Sequence, residues 1–361
     1  MRILFLAHGP SIHTRRWVRS LRERGHDLLL LTATPPADQD VPSRIVGAPW
    51  PVKGLRYLSA LGAVRRAMRE FHPDVTVAHF LPNYGWLAAV AAGSRPWMVA
   101  CWGSDLLINA RRSPFHRARA RYVLRKAPLI HVDAEVLAEA AIALGAPPER
   151  IWTRAWGVDA SALLPSASPS RIGSGAAGTR ILWTRQLEPV YDPEPFIRAL
   201  GILKRRAFPF RAVMAGDGPM RADVVRWLSE EGIAAEVTLA GFLSEEKLRA
   251  LYHGSDAYVS MSRSDSTSQS LLEAMAAGIF PIVSDIAGNR EWVTHRRNGY
   301  LVPAGDEEAL ACAIVESSCD PEAQAMRSRG PAIVAARGNF TDTVVQLEAR
   351  LRMLAGSGEI A

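Results

Sequence analysis

Short apolar runs alternate with amphipathic runs along the chain, and no other feature restricts its fold as much. RILFLA (2–7), DLLLLT (27–32), DVTVAH (74–79), WMVAC (97–101) and PLIHV (128–132) read as buried strands. Helical patterns fall between them near 13–24, 56–71, 84–92, 115–126 and 134–144, and Gly145, Pro147 and Pro148 stop the last. Strand, helix, strand at this spacing gives right-handed βαβ units and a parallel sheet. The pattern restarts with strands at 180–183, 210–215, 236–240, 256–260, 280–283 and 299–302. Its helices fall near 193–205, 219–231, 245–253, 269–277, 306–316 and 321–335, with a last one at about 341–354. Between the two series lies LPSASPSRIGSGAAGT (164–179), which has no periodicity and reads as a linker.

A chain of 361 residues is too long for one compact core. The expected architecture is α/β, with two Rossmann-like doubly wound domains at 1–165 and 180–336 facing a central cleft. Residues 166–179 link them, and 337–361 carry a helix that packs back on the first domain. In open α/β sheets ligands bind outside the C-terminal ends of the strands, so the informative residues are those just after each strand.

No apolar run reaches the roughly 18 residues of a membrane span, and RILFLA is too soon interrupted for a signal peptide. Cys101, Cys312 and Cys319 are few, odd in number and without metal spacing, which fits a cytoplasmic chain. Residues 1–165 carry 22 Lys and Arg against 12 Asp and Glu; residues 166–361 carry 21 against 24. The first half is the basic one. Within it, RRSPFHRARARYVLRK (111–126) gathers Arg111, Arg112, Arg117, Arg119, Arg121, Arg125 and Lys126 around Phe115, Tyr122 and Val123. Such a run serves either as a solvated helix face or as a contact for an anionic membrane surface. No nucleic-acid motif accompanies it.

The richest segment is SRSDSTSQSLLEAMAAGIFPIVSDIAGNRE (262–291). A helix begins between Asp265 and Glu273, with Ser266, Thr267 and Ser268 as candidate caps. Its first amide groups form an anion site for a diphosphate, with Glu273 in reach of ribose hydroxyls; the alternative is a capped surface helix with solvated carboxylates. This segment resembles the signature of the family-4 (group 1) retaining glycosyltransferases of GT-B fold. Their pattern is an acidic residue, seven residues, Glu within Leu-Glu-Ala-Met-Ala-x-Gly, a strand, and Gly-x-x-Glu. Here it reads Asp265, Glu273, Leu272 to Gly278, Gly288 and Glu291, with Asp265 where the family usually has Glu.

The resemblance implies that Glu273 holds the donor ribose, that Asp265 orients the donor sugar, and that the backbone at Ser268, Gln269 and Ser270 faces the diphosphate. Gly216-Asp217-Gly218-Pro219 is similar to the family's G-x-G-P turn, and Gly241-Phe242-Leu243 to a stretch that reads the nucleotide base. Phe242 either faces that base or belongs to the core. Arg185 in Thr184-Arg185-Gln186-Leu187 corresponds to the family's Arg, which neutralises the leaving diphosphate. The family's following Lys is missing from QLEPVYD (186–192), and Arg263 is the candidate substitute.

In the first half, Ala7-His8-Gly9-Pro10-Ser11-Ile12-His13 stands where the family carries a Gly-rich loop near the donor phosphates, which makes Gly9 a donor-side residue. His8 and His13 either line the cleft or cap the next helix. His13, His79 and Asp105 are the candidates on the acceptor side. In Trp102-Gly103-Ser104-Asp105, Trp102 replaces the usual His; an indole stacks or donates but shuttles no proton. The resemblance implies that none is needed, because the leaving phosphate takes the acceptor proton. Trp156-Gly157-Val158-Asp159 looks like the family's hinge. No metal site is expected, since Asp38 and Asp40 lie in a Pro-rich loop, and no cofactor beyond the nucleotide-sugar co-substrate.

The expected function is transfer of a hexose-type sugar from a nucleoside-diphosphate sugar, uridine diphosphate first, to a polysaccharide or lipid-linked glycan precursor. The alternatives are a degenerate, non-catalytic partner of an active transferase, or a sugar-nucleotide epimerase or hydrolase on the same fold. Product analysis without acceptor separates these.

Overall fold

The computed structural model describes residues 1–36, 41–47, 53–164 and 178–356. The expected linker lies almost wholly outside them, as do Asp38 and Asp40. The first sheet has seven strands: β1 (Arg2–Leu6), β2 (Asp27–Thr32), β3 (Ser43–Ile45), β4 (Val75–His79), β5 (Trp97–Ala100), β6 (Leu129–Val132) and β7 (Ile151–Thr153). Their order is β3-β2-β1-β4-β5-β6-β7, and every pairing is parallel. The second sheet has six: β8 (Thr179–Trp183), β9 (Phe210–Met214), β10 (Val237–Leu239), β11 (Ala257–Ser260), β12 (Phe280–Ser284) and β13 (Tyr300–Val302). Their order is β10-β9-β8-β11-β12-β13, again all parallel. This is the two-domain Rossmann-like architecture expected.

The central strands are apolar on both faces because helices cover both faces. In the first unit Leu4, Leu6, Leu29, Leu31, Val99 and Ile130 pack with Leu87, Val123 and Leu137 from the helices. In the second, Ile181, Trp183, Met214 and Val259 pack with Phe196, Leu200 and Leu310, and Trp183 stacks on Phe196 at 5.3 Å. Strand order reverses between β1 and β4 and between β8 and β11. Loops leaving those strands diverge there, which opens a crevice at each C-terminal edge.

One compact unit comprises Met1–Ala155 with Thr341–Ala361, the other Trp156–Phe340. Residues 156–165, read from the sequence as part of the first domain, therefore group with the second. The reason is backbone pairing: Val158 N–H donates to Gly338 O at 2.8 Å, and Phe340 N–H to Val158 O at 3.0 Å. Gly157 has φ +80°, and a Cβ there would sit 2.7 Å from the Phe340 nitrogen, so only glycine fits. The helix Phe340–Gly356 belongs mainly to the first unit. Thr343 Oγ1 donates to Ala155 O at 3.0 Å, and Glu348 accepts from Arg24 at 2.5 Å and from Arg352 at 2.7 Å. Those bonds, Arg352 first, hold the Glu348 carboxyl at a pKa of about 2.

Local readings needed adjustment. The edge strands β3 and β7, of three residues each, are not among the strands read from the sequence. The helix expected at 321–335 is two, Ala323–Ser328 and Gly330–Arg337. Pro331 opens the second, and Gly330 passes so close to Met275 that a Cβ would lie 2.6 Å from its carbonyl oxygen. A π-helical turn, Phe80–Gly85, precedes the helix Trp86–Ala91, and its first residue has φ +72°.

Candidate active site

In the second unit β8 and β11 deliver their C-terminal loops to one place, the switch point. Arg185, two residues past β8, is 9% exposed and held on three sides. Its Nη1 donates to Ser268 Oγ at 2.6 Å and to Ser270 Oγ at 3.1 Å. Its Nη2 donates to Asp265 Oδ2 at 2.5 Å. The guanidinium lies 4.0 Å from the centre of the Tyr191 ring, a cation–π contact. Burial works against the charge, but Asp265 outweighs it and raises the Arg185 pKa above its usual range.

Asp265 and Ser268 flank the start of the helix Gln269–Ala276. Ser268 is its N-cap and accepts from Leu271 N–H at 3.3 Å. The side-chain amide of Gln269, in the first turn, is shielded from solvent, and neither its oxygen nor its nitrogen has a partner; the same holds for Arg185 Nε. A buried amide left unpaired costs free energy unless something else pairs with it, so this is where a ligand's polar atoms fit. The helix dipole and the guanidinium both favour an anion here.

Glu273 is half-buried, one turn further, and accepts from the Tyr252 hydroxyl at 2.8 Å. Tyr252 also lies 3.1 Å from Thr184 Oγ1, and Tyr258 lies 2.7 Å from Ser270 Oγ. These tyrosines and Tyr191 escaped the sequence reading. Tyr252 stands 21 residues before its partner, on the helix Glu245–Gly254, and no local pattern connects them.

The glycines act as spacers. A Cβ on Gly216 would lie 2.3 Å from Arg185 O, one on Gly218 2.5 Å from Leu187 O, and one on Gly288 2.1 Å from Ser266 O. Gly216 and Gly218, read as donor-binding, thus seat the Arg185 loop, and Gly288 seats the Asp265 loop. Arg263, the candidate second cation, pairs with Asp192 through Nε at 2.7 Å and Nη2 at 3.1 Å. Its charge is matched by the Asp192 carboxylate, and its backbone N–H donates to Val190 O at 2.9 Å. Phe242 is 74% exposed, which removes the core alternative.

In the first unit the corresponding edge is aromatic. His79 ends β4 fully buried, 3.3 Å from Thr14 Oγ1 and ring to ring with Trp17 and Trp102. His13 meets Trp102 edge-on at 5.2 Å. Burial lowers the His13 pKa to about 4 and the His79 pKa to about 3, so both are neutral at pH 7. Asp105, read as an acceptor-side residue, is wholly buried and accepts from the N–H groups of Leu81, Trp102 and Leu106, each at 3.0 Å. It positions two loops, and burial raises its pKa to about 6. The Gly9 N–H, read as facing the donor, donates to Thr32 Oγ1 at 2.9 Å. A Cβ on Gly9 would lie 2.8 Å from Thr34 O, so the glycine serves close packing.

The helix Pro114–Lys126 buries Ala120, Val123 and Leu124. It and the residues before it expose Arg111, Arg112, Arg117, Arg121, Arg125 and Lys126, with Phe115 70% exposed among them. Arg119 differs from the rest of that run, lying over the Trp86 ring at 5.2 Å. Among the described residues no helix is long and apolar enough to cross a membrane, and no three or more His, Cys, Asp or Glu gather as a metal site.

Comparison with known proteins adds the following. Residues 178–331 match the family of glycosyl transferases group 1, and residues 2–134 match the glycosyl transferase 4-like family. A GDP-mannose-dependent alpha-mannosyltransferase of Mycobacterium tuberculosis is 26% identical, over 83% of this chain and 82% of its own. The amylovoran biosynthesis glycosyltransferase AmsK of Erwinia amylovora is 27% identical, over 49% of this chain and 44% of its own. The fold is similar to that of Anabaena HepE in complex with UDP, with a TM-score of 0.81, 20% identity, and coverage of 98% of this chain and 100% of that one.

Proposed function

The chain is a glycosyltransferase of the group 1 type, and from that premise we propose that it moves a hexose from a uridine-diphosphate sugar to a polysaccharide or lipid-linked glycan precursor, with retention of configuration. The carrying observation is the buried Arg185 beside the unpaired Gln269 amide at a helix N-terminus. That constellation suits a diphosphate. In the reaction the bond from the anomeric carbon to the diphosphate oxygen breaks, and negative charge grows on that oxygen. Arg185 and the first amides of the helix Gln269–Ala276 stabilise it. The acceptor hydroxyl bonds to the anomeric carbon on the face the diphosphate leaves, and its proton passes to the diphosphate oxygen. Glu273, braced by Tyr252, anchors the ribose, and Asp265 orients the sugar.

Retention is the part of this reading that rests on the resemblance of 262–291 to the signature of the retaining family. The reading assigns the leaving charge to Arg185 without a metal, so turnover is unchanged by EDTA. The exposed cations around the helix Pro114–Lys126 support a cytoplasmic enzyme that sits on anionic lipid.

The test is product analysis by NMR with a panel of nucleoside-diphosphate sugars, with and without glycan acceptors. The reading predicts acceptor-dependent release of the diphosphate and a new glycoside with the donor's anomeric configuration. An inverted product overturns retention. Consumption of donor without acceptor points to an epimerase or hydrolase instead.

A further inference from the structure

The first unit holds a cavity of about 270 Å³ beside its switch-point edge. Four aromatic rings wall it, from Tyr57, Phe80, Tyr84 and Trp102, with Ser11 and Asn83 among them. Its remaining lining residues are His8 and His79. Both imidazoles are held below their usual pKa by burial, so at pH 7 no cation lines the cavity among the described residues.

The wall is built at a cost. Phe80 has φ +72°, a region a bulky side chain rarely adopts, and it opens the π-helical turn Phe80–Gly85. Strain of this kind persists where the surroundings hold the backbone, and Asp105 holds the residue that follows, Leu81. One buried carboxylate accepts from Leu81 N–H on one wall and from Trp102 N–H on the other. Tyr84 is fixed as well, its hydroxyl accepting from Ala33 N–H at 3.0 Å. The rings are therefore preorganised.

Size and chemistry narrow the occupant. The volume is below the roughly 300–1,000 Å³ of sites that enclose drug-sized ligands, so it suits one ring and no extended chain. Aromatic walls suit the C–H face of a sugar, and Ser11 and Asn83 supply hydrogen bonds for a few hydroxyls. Apart from the N-terminus of the helix Ile12–Glu23, which Ser11 caps, a phosphate would find no charged partner among the lining residues. Building on the transferase reading, we propose that this cavity takes a single uncharged pyranosyl ring of the acceptor, which makes the acceptor a neutral glycoside terminus and excludes sugar phosphates.

Saturation-transfer NMR tests this on the full chain, with and without uridine diphosphate. The ligands are methyl gluco-, galacto-, manno- and rhamnopyranosides and the 6-phosphates of the first three. The proposal predicts that at least one methyl pyranoside binds and that its 6-phosphate binds at least tenfold more weakly. Trp102→Ala and Asn83→Ala each weaken that binding at least tenfold, Trp102→Phe restores part of it, and Glu273→Ala leaves it intact. If Trp102→Ala does not fold, Asn83→Ala carries the comparison. The proposal is overturned if no methyl pyranoside binds, if a 6-phosphate binds more tightly, or if binding survives both alanine substitutions. Diphosphate bound with no pyranoside defeats the cavity assignment alone. Pyranoside bound with no nucleoside diphosphate defeats the transferase reading alone.

Discussion

Arg185 is a buried cation whose partners come from two separate stretches of chain: Asp265 with the Ser268–Ser270 helix start, and Tyr191. Removing it leaves Asp265 without its counter-charge as well as the diphosphate without its donor. Arg185→Ala is therefore expected to lower kcat/KM by about 10²–10³ and to destabilise the second unit by about 3 kcal/mol; unchanged melting with unchanged turnover would remove it from the site. Arg185→Lys keeps the charge but loses the fork, so it rescues little. Tyr252→Phe removes one bond to Glu273, and the expected result is a KM for donor raised up to about tenfold with kcat held. The places of Asp265, Glu273 and Arg185 beside strand ends and a helix start were legible in the sequence, because each sits at a fixed step from such an end. Tyr191, Tyr252 and Tyr258 were not, because their roles arise only when separate elements meet. Asp105 was legible as a special residue but not in its role, since its three backbone donors come from two loops.

At the scale of elements, close backbone approach and buried histidines dominate. Gly288→Ala places a methyl group against Ser266 O and must shift the Asp265 loop. A cost of about 1–3 kcal/mol is expected, together with weakened diphosphate binding; full binding at wild-type stability would show that the loop yields freely. In the first unit His13, His79 and His131 have pKa values of about 4, 3 and 4, each lowered by burial from 6.5. Their neighbours include Arg16 beside His13, Arg350 and the Arg154 carbonyl beside His131, and Thr14 beside His79. As pH falls from 6.5 toward 4.5 the unfolded chain binds three protons that the folded chain refuses. Asp105, at about 6, works the other way, because the folded state binds its proton first. For these four groups the net difference is about two protons, which lowers stability by about 2.7 kcal/mol per pH unit in that window, and the lowered His8, His26 and Glu348 add to the loss. Denaturant melts at pH 6.5, 5.5 and 4.5 check this; a flat profile contradicts it. Strand and helix positions were readable from periodicity, whereas β3 (SRI) is exposed at every residue and β7 (IWT) buries only Trp152, so neither carries an apolar run. The π-helical turn was hidden because FLPNYG (80–85), with Pro82, Asn83 and Gly85, has no helical periodicity of its own.

For the whole molecule, the sequence already divided the charge, and the structure shows where the first half's excess goes. Six cations stand exposed along 111–126 with Phe115 among them. At about 1 kcal/mol each near an anionic surface, they would make the proposed membrane contact salt-sensitive. Cosedimentation with anionic vesicles at low salt is expected, lost at high salt and lost with Arg117→Glu and Arg121→Glu together; turnover of soluble acceptors alone, with no vesicle binding, would remove the membrane from the account. The central claim is the nucleoside-diphosphate site, and thermal shift tests it most directly. Uridine, guanosine and adenosine diphosphates are added to wild type and to Glu273→Ala. Uridine diphosphate at 100 times its dissociation constant is predicted to stabilise wild type by about 2.7 kcal/mol and to leave Glu273→Ala nearly unmoved. Stabilisation by guanosine diphosphate in its place would keep the site and change the donor. No shift with any of the three would contradict the claim and leave a non-catalytic partner as the better description.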